Sequence, residues 1–178
     1  AGVTETVAMA LDAGLAGCSI EDYSGDADAP IYELEHASER IAAAAEIAHA
    51  GPVRLVLTAR AENHLHGRPD LDDTIERLRA YERAGADVLY APGPTDLGVI
   101  RALVAAVDAP VNVLVRASSP SVAELASVGV ARISVGGAFA FAALGAVVAA
   151  AEELRDQGTY AFWERASAGV QAVRGAFG

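Results

Sequence analysis

Two apolar runs in this chain end abruptly in charge. Gly17-Cys18-Ser19-Ile20 runs into Glu21 and Asp22, and Leu55-Val56-Leu57-Thr58-Ala59 runs into Arg60 and Glu62. A parallel strand covered on both faces reads as a short apolar run. Its C-terminal end, with the loop that follows, lies at the mouth where α/β folds place their chemistry. Strands of one sheet would therefore bring these four charges together as a cation-binding and an anion-binding pair. That pairing points to an enzyme handling a small acidic molecule. Adjacent strand residues face opposite ways, so only one of Glu21 and Asp22 points into the mouth, and Asp22 is read as positioning a helix or loop. Arg60 ends a buried run, and a buried charge needs a partner. That partner is a substrate carboxylate, gripped by the planar guanidinium fork, or a structural salt bridge to Glu21 or Glu62.

Other polar residues are weaker candidates. His64 and His66 follow the second run and are read as part of a polar active-site loop or lid, with His64 a candidate substrate contact. Their spacing also suits a metal, but catalytic zinc needs a third protein ligand. Asp26 and Asp28 fit a solvated turn, and an EF-hand fails for want of the later glycine and glutamate. Cys18 lies inside an apolar run and reads as an inert core residue. Gly136-Gly137 precedes a helix and suits either anion binding through backbone N–H groups or simple close packing.

The elements that position these residues follow from periodicity. Strand-like runs begin near Cys18, Val53, Val88, Val111 and Ile133, with Ala-, Leu-, Glu- and Arg-rich helical stretches between them. Asp70 to Ala84 is the clearest helix, with Leu71, Ile75, Leu78 and Tyr81 on one face, Asp70 to cap it and Gly85 to end it. This alternation predicts βα units and a parallel sheet. The chain opens on a helix, Val3 to Ala13, so five βα units are present. They suit either a five-stranded doubly wound sheet or the last five units of an eight-fold barrel. An arc of a barrel leaves unpaired edges, so strands are expected before Ala1 in the natural protein. Helices are predicted over Ala138–Leu154 and Ala161–Ala176, broken at Gly158. Phe162, Trp163 and Phe177 suggest that the last helix packs on something, such as another subunit, or else covers the core.

Composition sets further bounds. At 178 residues and 53% hydrophobic, one domain with a substantial core is expected. The run from Ile133 to Ala151 is apolar but glycine-interrupted and fits a strand plus a helix better than a membrane span. No secretory signal opens the chain, and a single cysteine excludes an intramolecular disulfide. These features favour the cytoplasm. A net charge of −11 with no basic patch argues against nucleic-acid and anionic-membrane partners. All 13 basic residues are arginine, which excludes Schiff-base, pyridoxal-phosphate and P-loop lysine chemistry by this chain. A glycine-rich phosphate loop after an early strand is missing too, which weighs against a nucleotide-binding doubly wound sheet.

With these segments placed, the chain resembles the isocitrate lyase and phosphoenolpyruvate mutase superfamily. Four stretches carry the resemblance: Ala13-Gly14-Leu15-Ala16-Gly17-Cys18-Ser19-Ile20-Glu21-Asp22; Leu57-Thr58-Ala59-Arg60; Tyr81-Glu82-Arg83-Ala84-Gly85-Ala86-Asp87; and Pro110-Val111-Asn112-Val113 with Ala123-Glu124-Leu125 and Gly129-Val130-Ala131-Arg132-Ile133-Ser134. The resemblance implies a (β/α)8 TIM barrel, here the last five units in a single domain over 1–178, N-terminally incomplete. It also implies a C-terminal helix at 159–178 exchanged between subunits of a homotetramer, a dimer of dimers. By resemblance the chain is expected to be a Mg2+-dependent enzyme that makes or breaks a C–C or C–P bond beside a 2-oxo acid or dicarboxylate, through an enolate. Glu21 would be a metal ligand, Arg60 the catalytic group that binds a substrate carboxylate, and Asn112 part of the pocket lining. For Glu21 the alternative is a surface ion pair. The loop Tyr23–Pro30 lacks the lysine, cysteine and histidine of the lyases and the lysine and asparagine of the phosphonomutases. The chain therefore sits closest to a phosphonomutase-like branch. An oxaloacetate-type decarboxylase or hydrolase, or a non-catalytic relative serving as an assembly module, are the alternatives.

Overall fold

The computed structural model describes residues 2–177. Strands β1 (Gly17–Glu21), β2 (Val56–Arg60), β3 (Val88–Tyr90), β4 (Val111–Leu114) and β5 (Arg132–Ser134) alternate with helices α1 (Gly2–Asp12), α2 (Leu34–Ala48), α3 (Leu71–Arg83), α4 (Leu97–Ala105), α5 (Val122–Ser127) and α6 (Ala138–Gln157), and α7 (Trp163–Phe177) follows. All neighbouring strands pair in parallel, in the order β1-β2-β3-β4-β5. A doubly wound sheet reverses its order at a switch point, whereas a barrel adds each strand beside the last. The sheet is thus an arc of five βα units of TIM-barrel type, and the doubly wound alternative is excluded. β2 starts at Val56 rather than near Val53. Gly51 to Val53 form a bend, Val53 is exposed, and the first cross-strand bond runs from the Val56 N–H to the Ala16 carbonyl.

The chain divides into two compact units, Ala1–Ser134 and Val135–Gly178. In the first unit, strand alternation sorts the side chains. Ile20, Leu57, Ala59 and Leu89 pack into one core with Ile41, Ala44, Leu78 and Tyr81 of the helices. Ser19, Glu21, Thr58 and Arg60 alternate with these and lie on the opposite face. α3 begins as the sequence predicts, with the Asp70 carboxylate accepting from the N–H groups of Asp72 and Asp73. Its closing turn needs glycine: Gly85 has φ +100°, and a Cβ there would lie 2.9 Å from that of Ala45. Buried Thr74 and Arg77 join Leu78 and Tyr81 on the inner face of α3, while Leu71 and Ile75 are only half-buried.

The second unit is two helices joined at Gly158, which adopts φ +63°. α6 carries no buried residue, and it exposes Phe139, Phe141, Leu144 and Val147. A Cβ on Gly137 would lie 2.9 Å from the Phe141 ring, so this glycine pair meets a close-packing demand. Trp163 is 60% exposed, and the Phe177 side chain lies outside the described residues. Among the described residues no helix is long and apolar enough to cross a membrane.

Asp87 ties β3 to β2. Its N–H donates to the Leu57 carbonyl, and its carboxylate accepts from the Leu57 N–H at 2.8 Å, from His49 at 2.9 Å and from Arg54. Burial alone would raise this carboxyl, but the Leu57 amide, His49 and Arg54 more than offset it and hold it below the ordinary aspartate value. A carboxyl depressed in the folded state contributes stability that is present above its unfolded value, about 3.9, and is lost as pH falls through the folded one. Asp87→Asn should therefore lower stability at neutral pH and flatten the acid limb below about pH 4. Urea unfolding at a series of pH values checks this; parallel acid limbs in the two proteins would contradict it.

Candidate active site

The site is built where β1 and β2 end. Their register pairs Glu21 with Arg60, and Arg60 in turn with Tyr90 of β3. Partners in register point to the same face, so three side chains converge without any loop having to place them. The Arg60 guanidinium lies 3.3 Å from the Glu21 carboxylate and 5.2 Å from the Tyr90 ring centroid. The Glu62 Oε1 accepts from Arg60 Nε at 2.7 Å and forms an ion pair with Nη2 at 2.7 Å. The salt bridges to Glu21 and Glu62 are thus both present, and they leave an excess of one carboxylate over one guanidinium. Two of the five guanidinium N–H groups remain for a further acceptor.

Glu62 and Glu21 differ in surroundings. The Glu62 side chain is 4% exposed and that of Glu21 is 41% exposed. Burial pushes the Glu62 carboxyl up, Arg60 pulls it down, and Glu21 and Asp22 push it up again; the net shift is upward. Arg40 of α2 donates to the Glu21 carbonyl at 2.8 Å while lying over the Tyr32 ring, which fixes the β1 end from the helix side. Glu21 also lines a cavity of about 710 Å³ between α1, β1 and α2, but Arg60 is not on its wall. The charged strand ends, not that cavity, hold the paired chemistry.

Asp22 turns the other way, as alternation requires. It is 2% exposed. Its Oδ2 accepts from Arg77 Nη1 at 3.1 Å and from the Tyr81 hydroxyl at 2.5 Å, and its Oδ1 accepts from the Glu62 N–H at 2.8 Å. Arg77 also holds Asp73 and the Tyr32 carbonyl. Burial disfavours the Arg77 cation, but Tyr81, Asp73 and Asp22 more than compensate, so it stays charged. Burial and the Asp22 carboxylate push the Tyr81 phenol up, so it stays a donor.

Asn112 of β4 continues the same register, opposite Tyr90, and the two histidines follow in the turn after β2. Asn112 is 1% exposed; its Oδ1 accepts from Arg132 Nε at 2.9 Å and its amide donates to Ser134. Its polar atoms thus serve β5. Arg132 also donates to Thr58 at 3.2 Å, a contact the sequence reading missed. His64 lies in a 3-10 turn, Asn63–His66, with its Nε2 buried and unpaired. Burial lowers its pKa against the pull of Asp70 and Asp73, which favours the neutral ring. His66 stacks on Tyr23 at 4.2 Å, joining the loops after β1 and β2. Cys18 is half-buried, and burial pushes its thiol up, which suits an inert residue.

Among the described residues no group of three His, Cys, Asp or Glu is placed to hold a metal. A zinc centre therefore does not fit. Mg2+ keeps several waters and needs only one or two carboxylates besides substrate oxygens. Glu21, half-exposed beside an excess negative charge, fits it as a single protein ligand, whereas the Asp22 and Glu62 carboxylates are covered and already bonded.

The fold agrees with what the chain is similar to. A provisionally assigned lyase/mutase from Burkholderia cenocepacia J2315 is 56% identical, with a TM-score of 0.87 over 90% of this chain and 59% of that one. A provisionally assigned phosphonomutase from the same organism is 38% identical, with a TM-score of 0.77 over 84% of this chain and 64% of that one. Oxaloacetate acetylhydrolase, solved with its product oxalate, is 25% identical, with a TM-score of 0.78 over 99% of this chain and 66% of that one. The chain thus spans about three fifths to two thirds of the length of these solved chains. A search of curated proteins returned no match. The sequence profile of phosphoenolpyruvate phosphomutase matches residues 1–155. A match over most of the chain, with barrel geometry and charged strand ends to go with it, places this chain in the phosphoenolpyruvate phosphomutase family.

Proposed function

We propose that the ends of β1 and β2 form the catalytic centre of a Mg2+-dependent lyase or phosphonomutase acting on a small 2-oxo acid or dicarboxylate. The observation that carries this reading is the register pairing of Glu21 with Arg60 at 3.3 Å, at the C-terminal edge of the sheet. Glu21 would hold Mg2+, which supplies a Lewis acid that stabilises charge on a carbonyl oxygen. Arg60 would take the substrate carboxylate with its two remaining N–H groups, in the plane that Glu62 and Tyr90 fix. When the bond from the carbon next to the oxo carbon to its carbon or phosphorus substituent breaks, the electron pair stays with the oxo acid as an enolate, and the electron-poor fragment leaves as a carbonyl compound, its hydroxyl proton lost, or as a phosphoryl group passed to an oxygen acceptor. A positioned guanidinium favours that charge without reorganising. His64, neutral and close to Glu62 in sequence, would line the approach from the β2 loop, and Asn112 would brace β4 and β5 beneath it. The 25% identity to oxaloacetate acetylhydrolase, over nearly the whole chain, favours hydrolysis of an oxaloacetate-like acid as the second reading.

Glu21→Gln removes a charge from the metal site and should weaken Mg2+ binding while the fold persists. Arg60→Lys keeps the charge but loses the fork. Binding of oxalate, a mimic of the pyruvate enolate, should weaken by roughly 2–5 kcal/mol, the range for truncating one partner of a buried charge pair. Calorimetric titration with Mg2+ and then oxalate reads both. Variants that bind like the parent would leave these charges a structural role only, and a parent that takes up neither ligand would favour an assembly module.

A homo-oligomer assembled through the C-terminal helices is part of the same proposal. The aromatic and aliphatic side chains exposed on α6, and Trp163 on α7, are of the kind that interface cores favour. Removing the residues after Gly158 should lower the mass seen by light scattering or cause aggregation. An unchanged oligomer of undiminished stability would rule this segment out as the contact.

A further inference from the structure

We propose that Asp22 is a positioning residue for Arg60, acting through Glu62. The inference rests on the reading of Arg60 as the substrate-binding group. β2 ends at Arg60, and beyond it no strand ladder holds the chain. Asp22 takes over there from two sides. Its own N–H donates to the Arg60 carbonyl at 3.2 Å, and its Oδ1 accepts from the Glu62 N–H at 2.8 Å. The segment between them is pinned by the Ala61 N–H, which donates to the Tyr90 carbonyl at 2.9 Å. The Glu62 main chain is therefore fixed on three residues' worth of backbone, and its carboxylate, buried with it, holds Arg60 Nε and Nη2.

The two oxygens of Asp22 face different tasks. Oδ2 looks into the core, where Arg77 and Tyr81 of α3 bond it, and an ion pair that only anchored the helix would need no more. Oδ1 looks toward the site and receives a main-chain N–H, a charge-assisted bond stronger than one to a neutral acceptor. Contact is continuous from α3 through Asp22 and Glu62 to the guanidinium. Arg60 has only two other described restraints, the longer ion pair to Glu21 and the Tyr90 ring. Loss of the Asp22 charge should thus reach Arg60 although the two side chains do not touch.

Asp22→Asn tests this against Tyr81→Phe, which loosens the core side of the same carboxylate and leaves Oδ1 alone. Two readouts are taken well below the melting temperature of each protein: hydrogen exchange of the Arg60 Nε–H by NMR, and the affinity for oxalate in the presence of Mg2+. Asp22→Asn should speed Nε–H exchange and weaken oxalate binding, each by about tenfold or more, the usual effect of losing a group that orients a ligand. Tyr81→Phe should lower thermal stability yet leave both readouts within about twofold, because it reaches neither Glu62 nor Arg60. If Asp22→Asn alone unfolds the chain by orphaning Arg77, Asp22→Asn/Arg77→Met removes the unpaired buried charge and carries the same readouts. Unchanged Nε–H exchange in the folded variant would overturn the proposal and leave Asp22 a core ion pair. If the parent binds no oxalate but Nε–H exchange responds as described, the positioning role stands and the functional reading falls.

Discussion

Asp22 keeps a carboxylate almost wholly out of water, and that single charge dictates much of what surrounds it. A buried carboxylate survives as an ion only when its oxygens are bonded and a cation lies close. Here the bonds come from three groups on two separated segments: Arg77 and Tyr81 on α3, and the Glu62 main chain after β2. Satisfying one charge therefore fixes the angle of α3 against the sheet and the path of the chain leaving β2. The strand-end cluster inherits that rigidity. Glu21, next in sequence but on the other face, is left half-exposed opposite Arg60. One dipeptide thus splits the labour: the buried acid holds the scaffold and the half-exposed acid faces Arg60.

The division follows from strand alternation, which is why it was legible without coordinates. Charge at the end of a short apolar run announced both the strand end and its direction, and the register confirmed that Glu21 and Arg60 meet. The Asp70 cap and the glycine at position 85 were legible for the same reason, since each answers a local demand of backbone geometry. What was not legible depends on distant parts of the chain. Leu71, Ile75, Leu78 and Tyr81 all reach the core as hydropathy predicts, but the polar Thr74 and Arg77 buried beside them carry no hydropathy signal. Only the position of Asp22, 55 residues away, makes Arg77 an interior residue. Arg132 and Asn112 are likewise joined across two strands, a pairing that spacing alone does not reveal. The start of β2 shifted because Gly51 and Pro52 shape a bend that apolar Val53 merely follows.

The loop after β1 adds few chemical groups to the mouth. Tyr23–Pro30 brings no lysine, cysteine or histidine, and it closes on itself through Ser24 and the Tyr23–Ile31 bridge. Among the described residues the Tyr23 ring, stacked on His66, links it to the turn after β2. Such a loop shields and shapes. The charged groups paired at the mouth are seated on strand ends, where packing holds them best, and among the described residues these are Glu21 and Arg60 with Glu62 behind.

The central claim, that these strand ends are a metal and oxo-acid site, is tested most directly by locating the metal. Mn2+ added in place of Mg2+ broadens NMR signals according to distance from the ion. At substoichiometric Mn2+ the account expects broadening centred on the Glu21 amide and the Arg60 Nε–H, with the Leu55 and Asp87 amides, at the opposite end of β2 and β3, left sharper. Broadening spread over the acidic surface, or centred away from β1 and β2, would contradict it.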